Sequence, residues 1–250
     1  MRYLVISDIH SNWEALEAVL AAASGKFDEI LCCGDIVGYG PNPREIIDKL
    51  QHCGARLVRG NHDKAVCGLD DAADFNDTAR EAILWTRKIL SPDQHQYLLN
   101  LPHGPLPVEG GAFQLVHGAV HDEDEYLYDP AEAFDDLHVA RLPLTFFGHT
   151  HYQCVFSLSP QGEFVSTFHE PGAPHPVIEM ELEKGWIYLV NPGSVGQPRD
   201  DDPRAAFGLY DSGTRRLELR RVKYDIESVQ KKMREFRLPD YLIKRLSFGR

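Results

Sequence analysis

The chain has 250 residues, 43% of them apolar, with 26 Lys plus Arg against 38 Asp plus Glu for a formal net charge of −12 at pH 7. The length predicts one domain over 1–250 and the apolar share excludes a disordered chain, while the acidic balance argues against general nucleic-acid binding or an anionic membrane face; small phosphate esters stay open, because bound cations invert a local field. No stretch is apolar for the length of a membrane span, no signal-peptide core follows Met1, and five cysteines without a C-x-x-C pair read as reduced thiols, which together place the chain in the cytoplasm.

Arg2 to Ser7 is an aliphatic strand, and Trp13, Leu16, Val19 and Leu20 follow it at helical spacing. Glu29 to Cys33 is a second buried strand, followed by a Gly/Pro/Asn loop and a helix carrying Ile46, Ile47 and Leu50. Ala55 to Val58 is a third, and this alternation predicts a mostly parallel sheet covered on both faces. From 65 to 101 the pattern turns helical, with Ala82, Ile83, Trp85 and Ile89 in one segment and Pro92 opening another, so this is a helical insert. Strands return at Phe113 to Val116, Leu144 to Phe147, Gln153 to Ser157, Val177 to Leu182, Trp186 to Val190, Phe207 to Asp211 and Leu217 to Val222, with a Pro/Gly-rich loop at Glu170 to Pro176. Two amphipathic helices over about 225–246 end the chain.

Six of these strands end in polar residues: Asp8 and His10, Asp35, Asn61 and His62, His117, His149 and His151, and Asn191. Ligands of open α/β sheets gather at the carboxyl ends of parallel strands, so residues far apart in sequence can meet there. Gly34, Gly60 and Gly148 stand directly before such residues, where a missing Cβ permits close backbone approach. Asp8, His10, Asp35, Asn61, His117, His149 and His151 are oxygen and imidazole donors without a thiolate, a set suited to Mn, Fe, Zn, Ni or Co. Seven donors exceed the needs of one cation, and two cations sharing a carboxylate would use them fully.

In order, the chain carries Asp8-Ile9-His10, Gly34-Asp35, Gly60-Asn61-His62-Asp63, His117 and Gly148-His149-Thr150-His151, followed by Asn191-Pro192-Gly193-Ser194. In these blocks it resembles the calcineurin-like metallophosphoesterases over Met1 to about Asn191, and looks closest to their small bacterial and archaeal phosphodiesterases. It departs from them in that Asp35 is followed by Ile-Val-Gly-Tyr-Gly-Pro-Asn-Pro in place of G-D-x-x-D/R. The resemblance implies an α/β fold, a two-sheet β-sandwich flanked by helices, and two divalent transition-metal ions. It places one on Asp8, His10, Asp35 and His151 and the other on Asp35, Asn61, His117 and His149, with Asp35 as the bridge. It also implies hydrolysis of a small phosphate ester, a diester ahead of a monoester, by in-line attack of a hydroxide held between the cations. His62 would stabilise the transition state or protonate the leaving oxygen, and Asp63 would orient its ring.

Asn12, Tyr39, Ser194 and Arg199 lie beside the ligand blocks and are candidate substrate contacts; Arg59 is a weaker one. Asp122 to Glu125, just after His117, is an acidic stretch expected as a solvated loop, with a lid over the site as the sharper alternative. His52-Cys53 to Arg59 satisfies H-C-x5-R, the spacing of cysteine phosphatases, but that loop must lead into a helix, whereas 55–58 reads as a strand. The other alternative is a non-catalytic protein-binding scaffold on the same fold, against which every metal position and His62 keep a competent residue. Nothing in the chain sets an oligomeric state.

Overall fold

The computed structural model describes residues 1–170 and 178–250. Its strands form two sheets of six. The first has the order β3 (Arg56–Leu57), β2 (Glu29–Cys32), β1 (Arg2–Ile6), β11 (Ala205–Asp211), β12 (Arg216–Val222), β9 (Ile178–Glu181). The second has the order β4 (Leu106–Val108), β5 (Phe113–Leu115), β6 (Leu144–Phe146), β10 (Ile187–Pro192), β7 (Gln153–Leu158), β8 (Phe164–Phe168). Each sheet holds one parallel trio, β1 with β2 and β3 in the first and β5 with β6 and β10 in the second. Antiparallel strands extend both trios, so the sheets are mixed rather than mostly parallel.

Successive residues of a strand face opposite ways, and that alternation divides the core. Tyr3, Val5, Leu31, Cys33 and Val58 point between the sheets and meet Phe113, Leu115, Phe146 and Val190. Leu4, Ile6, Ile30, Cys32 and Leu57 point outward, where they pack under α1 (Trp13–Ala22), α2 (Pro43–His52), α3 (Asn61–Cys67) and α5 (Pro92–Leu99). The outer face of the second sheet, with Cys154, Phe156 and Leu189, is covered by Ala133 and Leu137 of α6 (Pro130–Val139). The result is a helix, sheet, sheet, helix stack, the two-sheet sandwich expected from the sequence. Cys32, the last residue of β2, and Cys33 just after it are free thiols that face opposite ways.

The insert becomes α3, α4 (Asp77–Ile89) and α5, with Asn76 and Ser91 capping the last two. Ala79 and Ala82 of α4 pack with Val229 and Met233 of α7 (Ile226–Glu235) and with Leu242 and Ile243 of α8 (Asp240–Arg245). The insert and the C-terminal helices thus form one wall. The Pro/Gly-rich stretch expected at Glu170 to Pro176 lies outside the described residues beyond Glu170, as does Val177 at the start of the strand observed as β9. Among the described residues no helix is long and apolar enough to cross a membrane.

Candidate metal centre

All six strands of the parallel trios end on one side of the sandwich. The loops leaving them are zipped by their main chains: Asp8 N donates to Gly34 O at 3.0 Å, His10 N to Asp35 O at 3.0 Å, Gly148 N to His117 O at 2.8 Å and Gly196 N to Asp8 O at 3.0 Å. Glycine is required where the loops touch. A Cβ on Gly60 would lie 2.1 Å from Asp35 Oδ1, and one on Gly148 would lie 1.9 Å from Ser7 Oγ. Asp8, His10, Ser11, Asp35, Tyr39, His149 and His151 all have positive φ, between 45° and 66°. That backbone region is costly for residues with a Cβ, and its concentration here marks a site that the surrounding structure holds in place.

These loops bring together every expected ligand. Asp8, His10 and His151 form one buried group, and Asp35, His117 and His149 another, with the candidate ligand atoms of each group within 4.8 Å of one another. Asp35 Oδ2 stands between them, 3.6 Å from His10 Nε2 and 3.5 Å from His117 Nε2. His151 Nε2 is 3.4 Å from Asp8 Oδ1, and Asn61 Oδ1 is 3.2 Å from His117 Nε2.

The ring nitrogens are set as a metal site requires. His10 Nδ1 donates to Val37 O at 3.1 Å, His117 Nδ1 to Cys33 O at 2.8 Å, His151 Nδ1 to Gln197 O at 2.5 Å and His149 Nε2 to Asp124 O at 3.0 Å. A carbonyl can only accept, so each of these nitrogens carries a proton, and wherever the ring is neutral the other nitrogen keeps its lone pair. Metal-bound histidines are oriented in this way. His10 Nε2 and His151 Nε2 then face each other at 3.2 Å with lone pairs on both, an arrangement that repels unless positive charge lies between. Burial pushes His10, His149 and His151 well below the ordinary imidazole pKa, which keeps them neutral. His117 behaves oppositely: burial lowers it, but the Asp35 carboxylate outweighs that and raises it to about 10. The field of Asp35 therefore draws positive charge to the point where His117, Asn61 and Asp35 converge. The donor set fits bound divalent cations.

The model of the calcineurin-like phosphoesterase superfamily domain matches residues 1–214. The chain belongs to that superfamily. It is 36% identical over 251 residues to an uncharacterized protein of Methanocaldococcus jannaschii, covering 98% of this chain and 97% of the relative. Among solved structures it is similar to a metallophosphoesterase from Sphaerobacter thermophilus, 37% identical with a TM-score of 0.84 over 100% of this chain and 99% of the other. A hypothetical protein from Pyrococcus horikoshii, 20% identical, shares the fold with a TM-score of 0.79 over 100% and 98% of the two chains.

Beside the ligands of this calcineurin-like chain, His62 is buried with Nδ1 unpartnered, and a ring nitrogen lies within 4.8 Å of ligand atoms of His10 and Asp35. Tyr39 and Phe75 pack on the ring at centroid distances of 4.3 and 4.9 Å. Burial lowers its pKa to about 4, so it is neutral at pH 7. Asp63 does not orient it as expected. Its Oδ1 accepts from Ile36 N at 3.0 Å and Val37 N at 3.2 Å, and its Oδ2 from Gly60 N at 2.9 Å. A carboxylate at the third position of a helix reaches back to main-chain amides as the partner half of a capping box, and here it clamps the Gly34-Asp35 loop to the Gly60-Asn61 loop.

Two of the four candidate substrate contacts are structural. Asn12 caps α1 through Ala15 N at 3.1 Å and donates to Gly196 O at 2.9 Å; Ser194 Oγ donates to Asp8 O and accepts from Gln197 N, both at 2.8 Å. Tyr39 and Arg199 instead line a cavity of about 560 Å³ together with Asn61, His62 and His149. Arg59 is turned away from phosphate duty by Glu123, which it meets at 2.8 Å, and Cys53 is exposed after α2, ahead of a strand rather than a helix. The acidic stretch after His117 is a loop, but it reaches the site: Glu123 is buried against Arg59 and Lys64, Asp124 O holds His149, and the Tyr126 ring stacks on His149 at 3.6 Å. Tyr126 was not legible in the sequence, because no motif spacing marks it.

Proposed function

We propose that the protein is a dinuclear metal-dependent phosphoesterase that cleaves small phosphodiesters ahead of phosphomonoesters. The observation that carries this is the set of four imidazoles, each fixed by a main-chain carbonyl and each turning its free nitrogen toward two groups that share Asp35. One cation would rest on Asp8, His10, Asp35 and His151, and the second on Asp35, Asn61, His117 and His149. Two divalent transition metals such as Mn, Fe, Zn, Ni or Co supply Lewis acidity to phosphoryl oxygens and activate water at neutral pH.

The chain's own groups do the rest. Asp35 ties both ligand groups into one unit, and its Oδ1 is fixed by His62 N at 2.9 Å. His62, neutral and walled by Tyr39 and Phe75, offers an N–H where charge builds on the departing ester oxygen. The cavity above has room for a second ester group, which favours a diester. A cysteine mechanism has no support, since Cys53 is exposed and Arg59 is paired with Glu123. A purely scaffolding role has no observation in its favour while all seven ligand positions converge.

The test is metal analysis of the purified protein with hydrolysis of bis(p-nitrophenyl) phosphate and p-nitrophenyl phosphate under several divalent metals. Asp35→Asn is expected to lower both metal content and rate, and His62→Ala to lower the rate with metals retained. Absence of bound transition metal, with no hydrolysis on adding Mn, refutes the reading; equal metal loss in the two variants refutes the division of roles.

A further inference from the structure

Two guanidinium groups, those of Arg199 and Arg245, line the cavity. Several other partly buried cations are matched by carboxylates, Arg59 and Lys64 by Glu123, Arg204 by Asp202 and Arg221 by Asp200, while Arg87, outside the cavity lining, bonds main-chain carbonyls. Arg199 meets Tyr39 Oη at 3.4 Å and Gln197 Oε1 at 3.3 Å, both through Nη2, lies against the Tyr128 hydroxyl as well, and its Nε is sealed from water with no partner. Arg245, on α8, bonds through Nε to Arg250 O and stacks over the Tyr241 ring at 5.3 Å. Among the described residues neither reaches a carboxylate side chain within ion-pair distance. Burial and then the neighbouring Arg199 charge lower the pKa of Arg245, so the two cations sit close enough to repel.

Two like charges held together in a chain of net charge −12, with carboxylates plentiful elsewhere, are costly unless something anionic joins them. Their placement says where. Tyr39 packs on His10 at 4.6 Å and on His62 at 4.3 Å, Arg199 lies over the Tyr39 ring at 6.0 Å, and Arg245 stands beyond it with Tyr241, which is exposed at the surface. Positive charge thus runs from the metal-ligand cluster outward along one wall. Asp70 and Asp74 of the α3 to α4 segment line the same cavity, as does Asp124, which is paired with Lys64, so an anion is favoured beside the arginines.

We propose that Arg199 and Arg245 form a second anion subsite, and that it selects phosphate esters carrying a further phosphate group beyond the one cleaved. The proposal rests on the phosphoesterase reading above. The guanidinium fork suits phosphate oxygens, and the pair on one wall suits a dianion better than a single ester charge.

The test compares thymidine 5′-(p-nitrophenyl phosphate) with the same compound bearing a 3′-phosphate, so that the scissile bond and leaving group are identical. The expected result is a kcat/KM about tenfold or more higher for the 3′-phosphorylated ester, mainly through KM, shrinking as salt is raised because the pair is partly solvent-reached. Arg199→Gln and Arg245→Gln should each cost the 3′-phosphorylated ester about tenfold more than the plain one, with metal content retained; Arg199→Lys, which keeps the charge and loses the fork, should fall between. A wild-type ratio near one, or a ratio that neither salt nor either variant moves, overturns the subsite and leaves the phosphoesterase reading standing. No hydrolysis of either ester with any divalent metal overturns both.

Discussion

Gly60→Ala isolates the position of Asp35 from every other property of the site. Gly60 has φ −107° and ψ 177°, extended backbone open to any residue, so the substitution adds no torsional strain and costs about 0.5–1 kcal/mol at most as a poorer helix cap. The added Cβ lands 2.1 Å from Asp35 Oδ1, 2.5 Å from Asp35 N and 2.7 Å from its Cγ. Ordinary contact needs about 3.4 Å, so the carboxylate that joins the two ligand groups must move by more than about 1 Å. Overpacking of this kind costs about 1–3 kcal/mol of stability, and misplacement of a reacting array by about 1 Å costs roughly a hundredfold in rate. The expected outcome is a folded protein with a modestly lower melting temperature, reduced metal content and about a hundredfold loss of phosphodiester hydrolysis. Gly54→Ala is the control: its Cβ meets open space and its φ of +62° makes it cost about 1 kcal/mol with rate and metals unchanged. Full metal content and wild-type rate in Gly60→Ala would show that Asp35 does not sit where the function needs it.

Two other substitutions read the site's surroundings. His62 has a folded pKa near 4 against about 6.5 unfolded, so below pH 6.5 the unfolded chain takes up a proton that the folded protein refuses; in chelated protein, His62 should by itself take about 3 kcal/mol from stability between pH 6.5 and 4, His62→Gln should lack that share, and an NMR titration placing His62 near 6.5 would contradict it. Glu123→Gln leaves Arg59 and Lys64 without their shared carboxylate, loosening the loop whose Asp124 O holds the His149 ring; an affinity loss of about tenfold or more for metal is expected, and an unchanged metal titration would argue that this loop plays no part in orienting His149.

The ligand residues were readable because each follows an apolar strand and the order of blocks is itself a constraint: a lone histidine says little, but Gly60-Asn61-His62 and Gly148-His149-Thr150-His151 after buried strands say where the side chains end. What was not readable depended on contacts across the chain. β4 carries Pro107 and lies at a sheet edge, and β8 is an edge strand exposed at Val165 and Ser166, so neither shows the apolar run of a central strand. The α6 helix buries Ala133, Asp136 and Leu137, too few for an apolar stripe, although Asp129-Pro130 with Glu132 is a capping box that could have announced it. Asp63 was assigned to its sequence neighbour, His62, whereas its carboxylate turns to main-chain amides of two loops. Arg245 carries no sequence signal at all; it is brought to the cavity by the packing of α8 on α4.

The same loops that make the site also make it expensive. Seven residues around the ligands hold positive φ without being glycine, at a cost on the order of 1 kcal/mol each, and they press lone pairs and carboxylates against one another in a buried space. Metal bound only by the folded chain would offset this, by about 2.7 kcal/mol when present at about a hundred times Kd. For a protein of this size each kcal/mol moves the melting temperature by about 2–4 °C, so chelation should lower it by about 5–10 °C, with recovery on adding back Mn or Zn. Asp35→Asn removes the group that both ligand sets share, so in that variant a chelator should change the melting temperature little. A melting curve indifferent to chelator in the wild-type protein, or shifted equally in Asp35→Asn, would mean that the strain of these loops is balanced by something other than metal held at Asp35.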